Sequence, residues 1–336
     1  SLQQCAPQVL EHAMTIHRRG QLNFTGTFYS EPVNVNMDGE TNYRCAWLGT
    51  RIVEDCIGEE TDGFYLQERA YHSQLPWILS HANVSWVPVI TSAQDDWYPF
   101  SLIGSDGSRT VCVPITRHGG ELLSRLEQAP GNSLLLIEED YEIPQSFVSA
   151  YDDLVKFNAS HPDVEAKWIT VKDYISKFGI KGERSVGHGA KARNLISGTY
   201  SRWTADPLDI IVQDFTNKAM EDFRAARIFN ALLRRSGITA CDIPIEESAR
   251  PAEMDPVTWN IERADLYPSI ESRFLARDGK ITLLSRAENL LLWAVNSDAK
   301  GWYPLYEKRR ERMASLSESS SRSRELIDLG LSALAS

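Results

Sequence analysis

No CxxC pair occurs in the chain, and its five cysteines, Cys5, Cys45, Cys56, Cys112 and Cys241, are an odd number. Neither a paired-thiolate zinc site nor a disulfide framework is indicated, so reduced, buried thiols and a cytoplasmic setting are the expectation. No apolar run approaches the roughly 18 residues of a membrane span, and no signal peptide opens the sequence. Positive charge is in deficit: 35 Lys and Arg stand against 46 Asp and Glu, a formal net charge of -11. A surface that acidic disfavours nucleic acid and anionic lipid, and suits a neutral substrate or a small cation. Phosphate loops are missing as well. GERSVGHG (182–189) is no Walker A sequence, and no GxSxG elbow occurs. His12 and His17 are five apart, off any one helical face, and His188 stands alone between two glycines. No metal site and no cofactor are expected, and no internal repeat is present.

What is abundant is aromatic surface, with nine Trp and twelve Tyr. Such rings build cores, and they also stack on sugar faces. Along the first half of the chain, helix and strand patterns alternate. Helices are predicted over 9–19, 41–56, 73–81, 120–128 and 147–158. Strands are predicted over 21–27, 63–67, 86–90, 110–115 and 133–137, with AKWI (166–169) continuing the series. That rhythm is the pattern of an α/β parallel sheet or barrel. Beyond about residue 182 a Gly, Ser and Arg-rich stretch reads as loop, followed by long helical patterns over 208–235 and 282–295. Three regions follow from this: 1–182 as the β/α part, 183–315 as loop-rich and helical, and 316–336 as a Ser-rich tail with a short helix.

In a parallel β/α architecture the loops after the strands converge on one mouth, and chemistry collects there. Each predicted strand end but one carries acids. The first leads to Tyr29 and Glu31, the second to Glu68 with Arg69 and His72 behind it. The third leads to Asp95 and Asp96, the fifth to Glu138, Glu139, Asp140 and Glu142. Interleaved with Tyr65, Trp97 and Tyr141, this set suits a polyol or sugar, and paired carboxylates there do acid and nucleophile work. An acid just past a strand also commonly caps the next helix, and His72 fits a capping role better than a metal ligand. Glu68 stands out because it follows an apolar-aromatic strand directly and is trailed by Arg69.

These segments resemble glycoside hydrolase family 57, collinearly over most of the chain. RRGQLNFTGTFYSEPV (18–33) resembles the segment where a Gly-Gln pair opens a strand ending in an active-site Glu, the position of Glu31. GFYLQERAYHSQLPWIL (63–79) resembles the nucleophile motif, with Glu68 in the nucleophile position. SWVPVITSAQDDWYPF (85–100) resembles the next strand and its acidic loop. SLLLIEEDYEIP (133–144) resembles the strand that ends in the acid/base, which falls on Asp140 with Glu139 beside it. LLLWAVNSDAKGWYPLYEKRRER (290–312) resembles a helical motif that returns an Asp and a Trp, here Asp298 and Trp302, to the barrel mouth. The stretch YSRWTADPLDIIVQDFTNKAMEDFRAARI (200–228) is closer to family 38 α-mannosidases. The family 57 acid motif reads Asp-Asp-Gly-Glu, where this chain has Glu139-Asp140-Tyr141-Glu142. Both families open with a His-bearing strand that has no counterpart before Gln21.

The resemblance implies an α/β fold: an incomplete seven-stranded-type (β/α) barrel followed by a mainly helical region, completed by an upstream segment or a partner chain. It implies a retaining glycosidase or transglycosylase acting on α-linked glycans, with Glu68 as nucleophile and Asp140 as general acid/base. Tyr29, Glu31, Arg69, His72, Asp95, Asp96, Glu139, Asp298 and Trp302 would hold the carbohydrate. The alternatives are a metal-dependent α-mannosidase-like hydrolase and a non-catalytic sugar-binding or scaffold barrel.

Overall fold

The computed structural model describes residues 7–30, 32–91, 96–116, 122–137, 144–185, 203, 206–238, 271–276, 280–295 and 306–335. The chain falls into two compact units, one made of 1–28 with 49–193 and the other of 29–48 with 194–336.

The first unit is built on a sheet of strands β1 (Thr25–Thr27), β2 (Gly63–Tyr65), β3 (Trp86–Val89), β4 (Phe100–Ile103), β5 (Arg109–Thr116), β6 (Leu136–Ile137) and β7 (Glu183–Ser185). Their order is β1-β2-β3-β5-β4-β7, with β6 pairing β5. All pairings are parallel except that of β4 with β5. Helix α1 (Pro7–Arg18) precedes β1, and α2 (Gly39–Ile57), α3 (Leu75–His81), α4 (Leu122–Gln128), α5 (Pro144–Ser160) and α6 (Val171–Phe178) lie between strands in the chain. The fold is thus mixed α/β with a mostly parallel sheet. Strand β3 is near-continuously apolar because it is covered on both faces. Trp86 joins Val113, Leu134, Val171 and Tyr174 in one buried cluster. Each such side chain contributes roughly 1.5–3 kcal/mol by leaving water.

Gly63 is dictated by that packing. A Cβ at this position would lie 2.3 Å from the Trp86 ring. Gly63→Ala should therefore cost about 1–3 kcal/mol through overpacking, read as a lowered urea midpoint. An unchanged midpoint would mean the Trp86 indole moves aside freely.

Helix α1 is held at its C-terminal end by His17. Its Nδ1 lies 2.6 Å from the Leu22 carbonyl and its Nε2 meets the Glu59 carboxylate. A neutral imidazole carries one N–H and can donate to only one acceptor, so this pair of acceptors selects the imidazolium. The Leu22 carbonyl raises the pKa most; burial and Arg18 oppose it, and Glu59 adds to the rise. A folded-state pKa above the unfolded value of about 6.5 makes the clamp stabilising below that value, and the stabilisation is lost as pH climbs through the raised value. Urea midpoints should fall across that window, and His17→Gln should flatten the dependence. An equal slope in the variant would remove His17 from the account.

The structure departs from the sequence reading at several elements. Residues 166–169, expected as a strand, run without regular structure into the cap of α6. There Thr170 accepts from the Asp173 N–H at 3.1 Å, and Trp168 is exposed. The Thr-Val-Lys-Asp sequence is a helix start, and its capping bonds outcompete strand pairing. Residues 183–185, expected as loop, form β7, which pairs parallel with β4 from Ser101 opposite Glu183 to Ile103 opposite Ser185; just before both strands the Lys181 N–H donates to the Pro99 carbonyl at 2.7 Å. Strand β4 itself was not foreseen. The strand expected over 21–27 is confined to Thr25–Thr27, and that over 133–137 to Leu136–Ile137. Leu22 and Phe24 are half-buried, and β1 is paired only with β2 among the described residues.

The second unit is helical, with α7 (Pro207–Arg235), α8 (Leu283–Ala294) and α9 (Tyr306–Ala335). Asp206 caps α7, accepting from the Leu208 N–H at 2.7 Å, with Pro207 opening the helix. Thr282 and Ser285 form a capping box at the start of α8. The Ser-rich tail expected over 316–336 is instead part of the 30-residue helix α9. Ser315, Ser319 and Ser323 recur every four residues and are buried, so they fall on one face. Ser319 donates to the Ala287 carbonyl at 2.7 Å. Small side chains let α8 and α9 approach closely, which a composition-based reading mistakes for a solvated linker. Asp222 on α7 accepts from Lys218, Ser320 and Arg324, the last at 3.0 Å.

Candidate functional site

The turn after β2 carries Glu68. Phe64 and Leu66 are fully buried and fix the strand end. The chain then makes a tight left-handed turn, with φ of 56° at both Glu68 and Arg69. The Arg69 N–H donates to the Leu66 carbonyl at 3.2 Å, and the Ala70 N–H donates to the Gln67 carbonyl at 3.3 Å. For residues with a Cβ this conformation costs roughly 1–2 kcal/mol each, and strain of this kind gathers at functional sites. Both side chains are buried: Glu68 is 5 % exposed and Arg69 1 %. Arg69 turns back on its own strand, donating from Nη1 to the Leu66 carbonyl at 2.6 Å. Its guanidinium lies 4.2 Å from the Tyr65 ring centre. The turn is thereby locked by the residue that follows the acid. His72 Nδ1 accepts from the Gln74 N–H at 3.3 Å, at the entry to α3.

Past the end of β3, Asp96 is 7 % exposed at its side chain and accepts two hydrogen bonds from Arg184 of β7. One of these, Nη1 to Oδ2, is 2.7 Å long. Burial pushes the Asp96 carboxyl up, but hydrogen bonds from Arg184 and Thr91 and the Arg184 charge outweigh it and hold the group below its ordinary value. Arg184 also lies 4.1 Å from the Phe100 ring centre. Tyr71 and Cys112 face the same pair. Burial raises Tyr71, helped by Cys112 and Asp96 and opposed by Arg184, and burial likewise raises Cys112.

Glu68, Arg69, His72 and Asp96 all belong to the first unit, and Tyr29 belongs to the second. There the Tyr29 hydroxyl donates to Asn289 of α8 at 3.2 Å, and its N–H donates to the Cys45 carbonyl at 3.0 Å. The Cys45 thiol is pushed up to about 11 by burial. Glu31, Asp95, Glu139, Asp140, Asp298 and Trp302 lie outside the described residues. Among the described residues no three His, Cys, Asp or Glu side chains are grouped so as to hold a metal ion. A groove of about 720 Å³ in the second unit is lined by Phe215, Lys218, Leu316, Ser320, Arg324 and Leu329, and it includes none of the expected site residues. Sequence reasoning missed Arg184 and Tyr71. Arg184 sits 88 residues from its partner in a stretch with no hydrophobic pattern, and its only sequence-level signal is an arginine amid an acidic chain.

No protein-family model matches the chain, and no curated protein matches it. Solved structures do. A 4-alpha-glucanotransferase from Thermococcus litoralis aligns with a TM-score of 0.56 at 16 % identity, over 96 % of this chain and 51 % of that one. An alpha-mannosidase from Enterococcus faecalis V583 aligns with a TM-score of 0.59 at 13 % identity, over 99 % of this chain and 36 % of that one. A glycoside hydrolase family 57 branching enzyme from Thermococcus kodakaraensis aligns with a TM-score of 0.57 at 10 % identity, over 98 % of this chain and 69 % of that one. The chain therefore shares the fold of these enzymes. It spans about half the length of the glucanotransferase and about a third of the mannosidase. Among the described residues no helix is long and apolar enough to cross a membrane.

Proposed function

We propose that the chain carries the active-site region of a retaining glycosidase or transglycosylase acting on α-linked glycans, with Glu68 as nucleophile and Asp140 as general acid/base. The observation that carries this reading is the Glu68 turn. A buried carboxylate three residues past a parallel strand is held in a left-handed conformation and locked by Arg69. Likeness of fold to a glucanotransferase and a branching enzyme supports the substrate class. In the proposed reaction a Glu68 oxygen bonds to the anomeric carbon as the bond to the leaving oxygen breaks, and Asp140 gives its proton to that oxygen. Asp140 then takes a proton from water or an acceptor sugar, whose oxygen displaces Glu68. Retention calls for about 5–5.5 Å between the two carboxyl groups.

In this proposal residues 1–182 form the greater part of a (β/α) barrel, and Asp95 and Glu139 join Glu68 in holding the carbohydrate. An upstream segment or a partner chain supplies a further strand. Support for the latter is β1, paired only on its β2 side among the described residues. A cytoplasmic location fits Cys45 and Cys112, which are buried free thiols. The test is turnover of maltoheptaose and a panel of aryl α- and β-glycosides, with the anomer first released followed by NMR. Retained α-product supports the reading; inverted product or no turnover on any member overturns it. A second reading, a metal-dependent α-mannosidase-like hydrolase, rests on the fold shared with the Enterococcus faecalis protein. It predicts turnover of aryl α-mannosides that a chelator abolishes.

A further inference from the structure

Two acids follow strands that neighbour each other in the sheet, Glu68 after β2 and Asp96 after β3, yet they are held in different ways. Glu68 is placed by backbone conformation. Asp96 is placed by a side chain from a distant edge strand. Arg184 meets both Asp96 oxygens with its guanidinium fork, while the Phe100 ring lies against that fork. Planar two-point pairing fixes the orientation of a carboxylate as well as its charge. Stability alone does not account for such a pair, because the Arg184 side chain is 43 % exposed and an ion pair with a partner in solvent is worth about 1 kcal/mol or less. A carboxylate offers about four acceptor positions. Arg184 occupies two of them and Thr91 a third. The position that remains is held in a set direction on an anion, a strong acceptor for a neutral O–H donor.

We infer that Arg184 is a positioning residue for Asp96, and that the locked Asp96 carboxylate accepts a hydrogen bond from a hydroxyl of the glycan. The second clause rests on the function proposed above; the first does not. Among the described residues, Tyr71, from the segment after β2, and Cys112, from β5, are the other titratable groups facing the pair. Both are raised by burial and stay neutral in ordinary buffers. Arg184 and Thr91 are then what keep Asp96 ionised against its own burial.

The test compares the whole chain with Arg184→Lys, Arg184→Met and Asp96→Asn. The Asp96 carboxyl is followed by carbon-13 NMR of aspartate-labelled protein and assigned by its loss in Asp96→Asn. In the unaltered chain it should titrate below the usual aspartate range, in Arg184→Met above that range, and in Arg184→Lys between the two. The same titration in all three overturns the positioning role, whatever the chain's activity. For the substrate, KM for maltoheptaose should rise about 10–100-fold in Arg184→Met and in Asp96→Asn, the loss of one charged hydrogen bond. The double variant should lose no more than either single one. In Arg184→Met the rise should steepen as pH falls, and Arg184→Lys should restore part of the loss. A lowered melting temperature with unchanged KM and pH profile would reduce the pair to a structural tie and overturn the second clause. No turnover by the unaltered chain would overturn the proposed function, while the titration still decides the role of Arg184.

Discussion

Glu68→Ala is expected to lower turnover of an α-glucan by on the order of 10⁴-fold or more, the scale seen when a nucleophile is removed from a residue set that acts as a unit. The removed carboxylate leaves space beside the anomeric carbon. Added azide should enter it and yield a β-glycosyl azide from an activated α-glycoside. Asp140→Ala should respond differently. With an activated leaving group its first step needs no proton, so the glycosyl-enzyme accumulates and azide releases the α-anomer. The two products, distinguished by NMR, assign the two roles separately. Similar azide products from both variants would sink the assignment. The left-handed backbone adds an independent readout. Glycine carries no steric penalty at φ of 56°. Glu68→Gly should therefore be as inactive as Glu68→Ala but more stable by about 1 kcal/mol, measured by urea unfolding. Equal stability would mean that the turn relaxes once the side chain is gone.

Arg309→Leu is expected to be the most damaging single change to the helical unit. Arg309 Nη2 meets the Asp209 carboxylate at 2.9 Å, and Asp209 lies in the first turn of α7, 1 % exposed. Removing one partner of a buried pair leaves the other charge stranded, at about 3–5 kcal/mol. The first-turn position of Asp209 beside the α7 N-terminus offsets part of that loss. Changing both residues together, Asp209→Asn with Arg309→Leu, should recover much of the stability, since no buried charge remains. Urea midpoints of the single and double variants decide it. A double variant as unstable as Arg309→Leu would show that packing of the arginine stem, not charge, was lost.

Helical periodicity was easy to read where the pattern was long. Helices α1, α2, α7 and α8 lie within one or two residues of their expected bounds, because an amphipathic stripe repeats often enough to be unambiguous. Strands β2, β3 and β5 were legible as apolar runs between turn signals. Strands β4 and β7 were not. The first is four residues between Pro99 and Gly104, and the second is three exposed polar residues with no apolar pattern, held by pairing with β4 and by the ion pairs of Glu183 with Arg109 and of Arg184 with Asp96. In α9 the buried face sets Ser315, Ser319, Ser320 and Ser323 beside Leu316 and Leu326, so close packing and solvent-facing polarity looked alike in the sequence. At the site, the position of Glu68 in the turn after β2 could be read, but its backbone could not. Left-handed turns are normally announced by Gly or Asn, and here Glu and Arg occupy them under tertiary constraint. Asp96 was legible as an acid past a strand. Arg184 was not, because the partner of a buried acid is chosen by the fold and leaves no local spacing to find.

The interleaving of the two units bears on how the chain leaves the ribosome. Residues 29–48 interrupt the first unit but belong to the second. Ser30 bonds to the carbonyl of Leu292, 262 positions later. At about 5–20 residues per second, that partner emerges roughly 13–50 s after Ser30 does. The β-sheet side has all of its own segments once residue 193 is out, so during elongation it is free to condense first. Segment 29–48 is meanwhile tethered to it through α2, with Met37 still bare. In the finished protein Met37 is buried among Ala219, Met220, Phe223, Leu291 and Leu316 of the three long helices. The nascent chain therefore carries that apolar side chain for many seconds before its cover arrives, a natural stopping place for a chaperone.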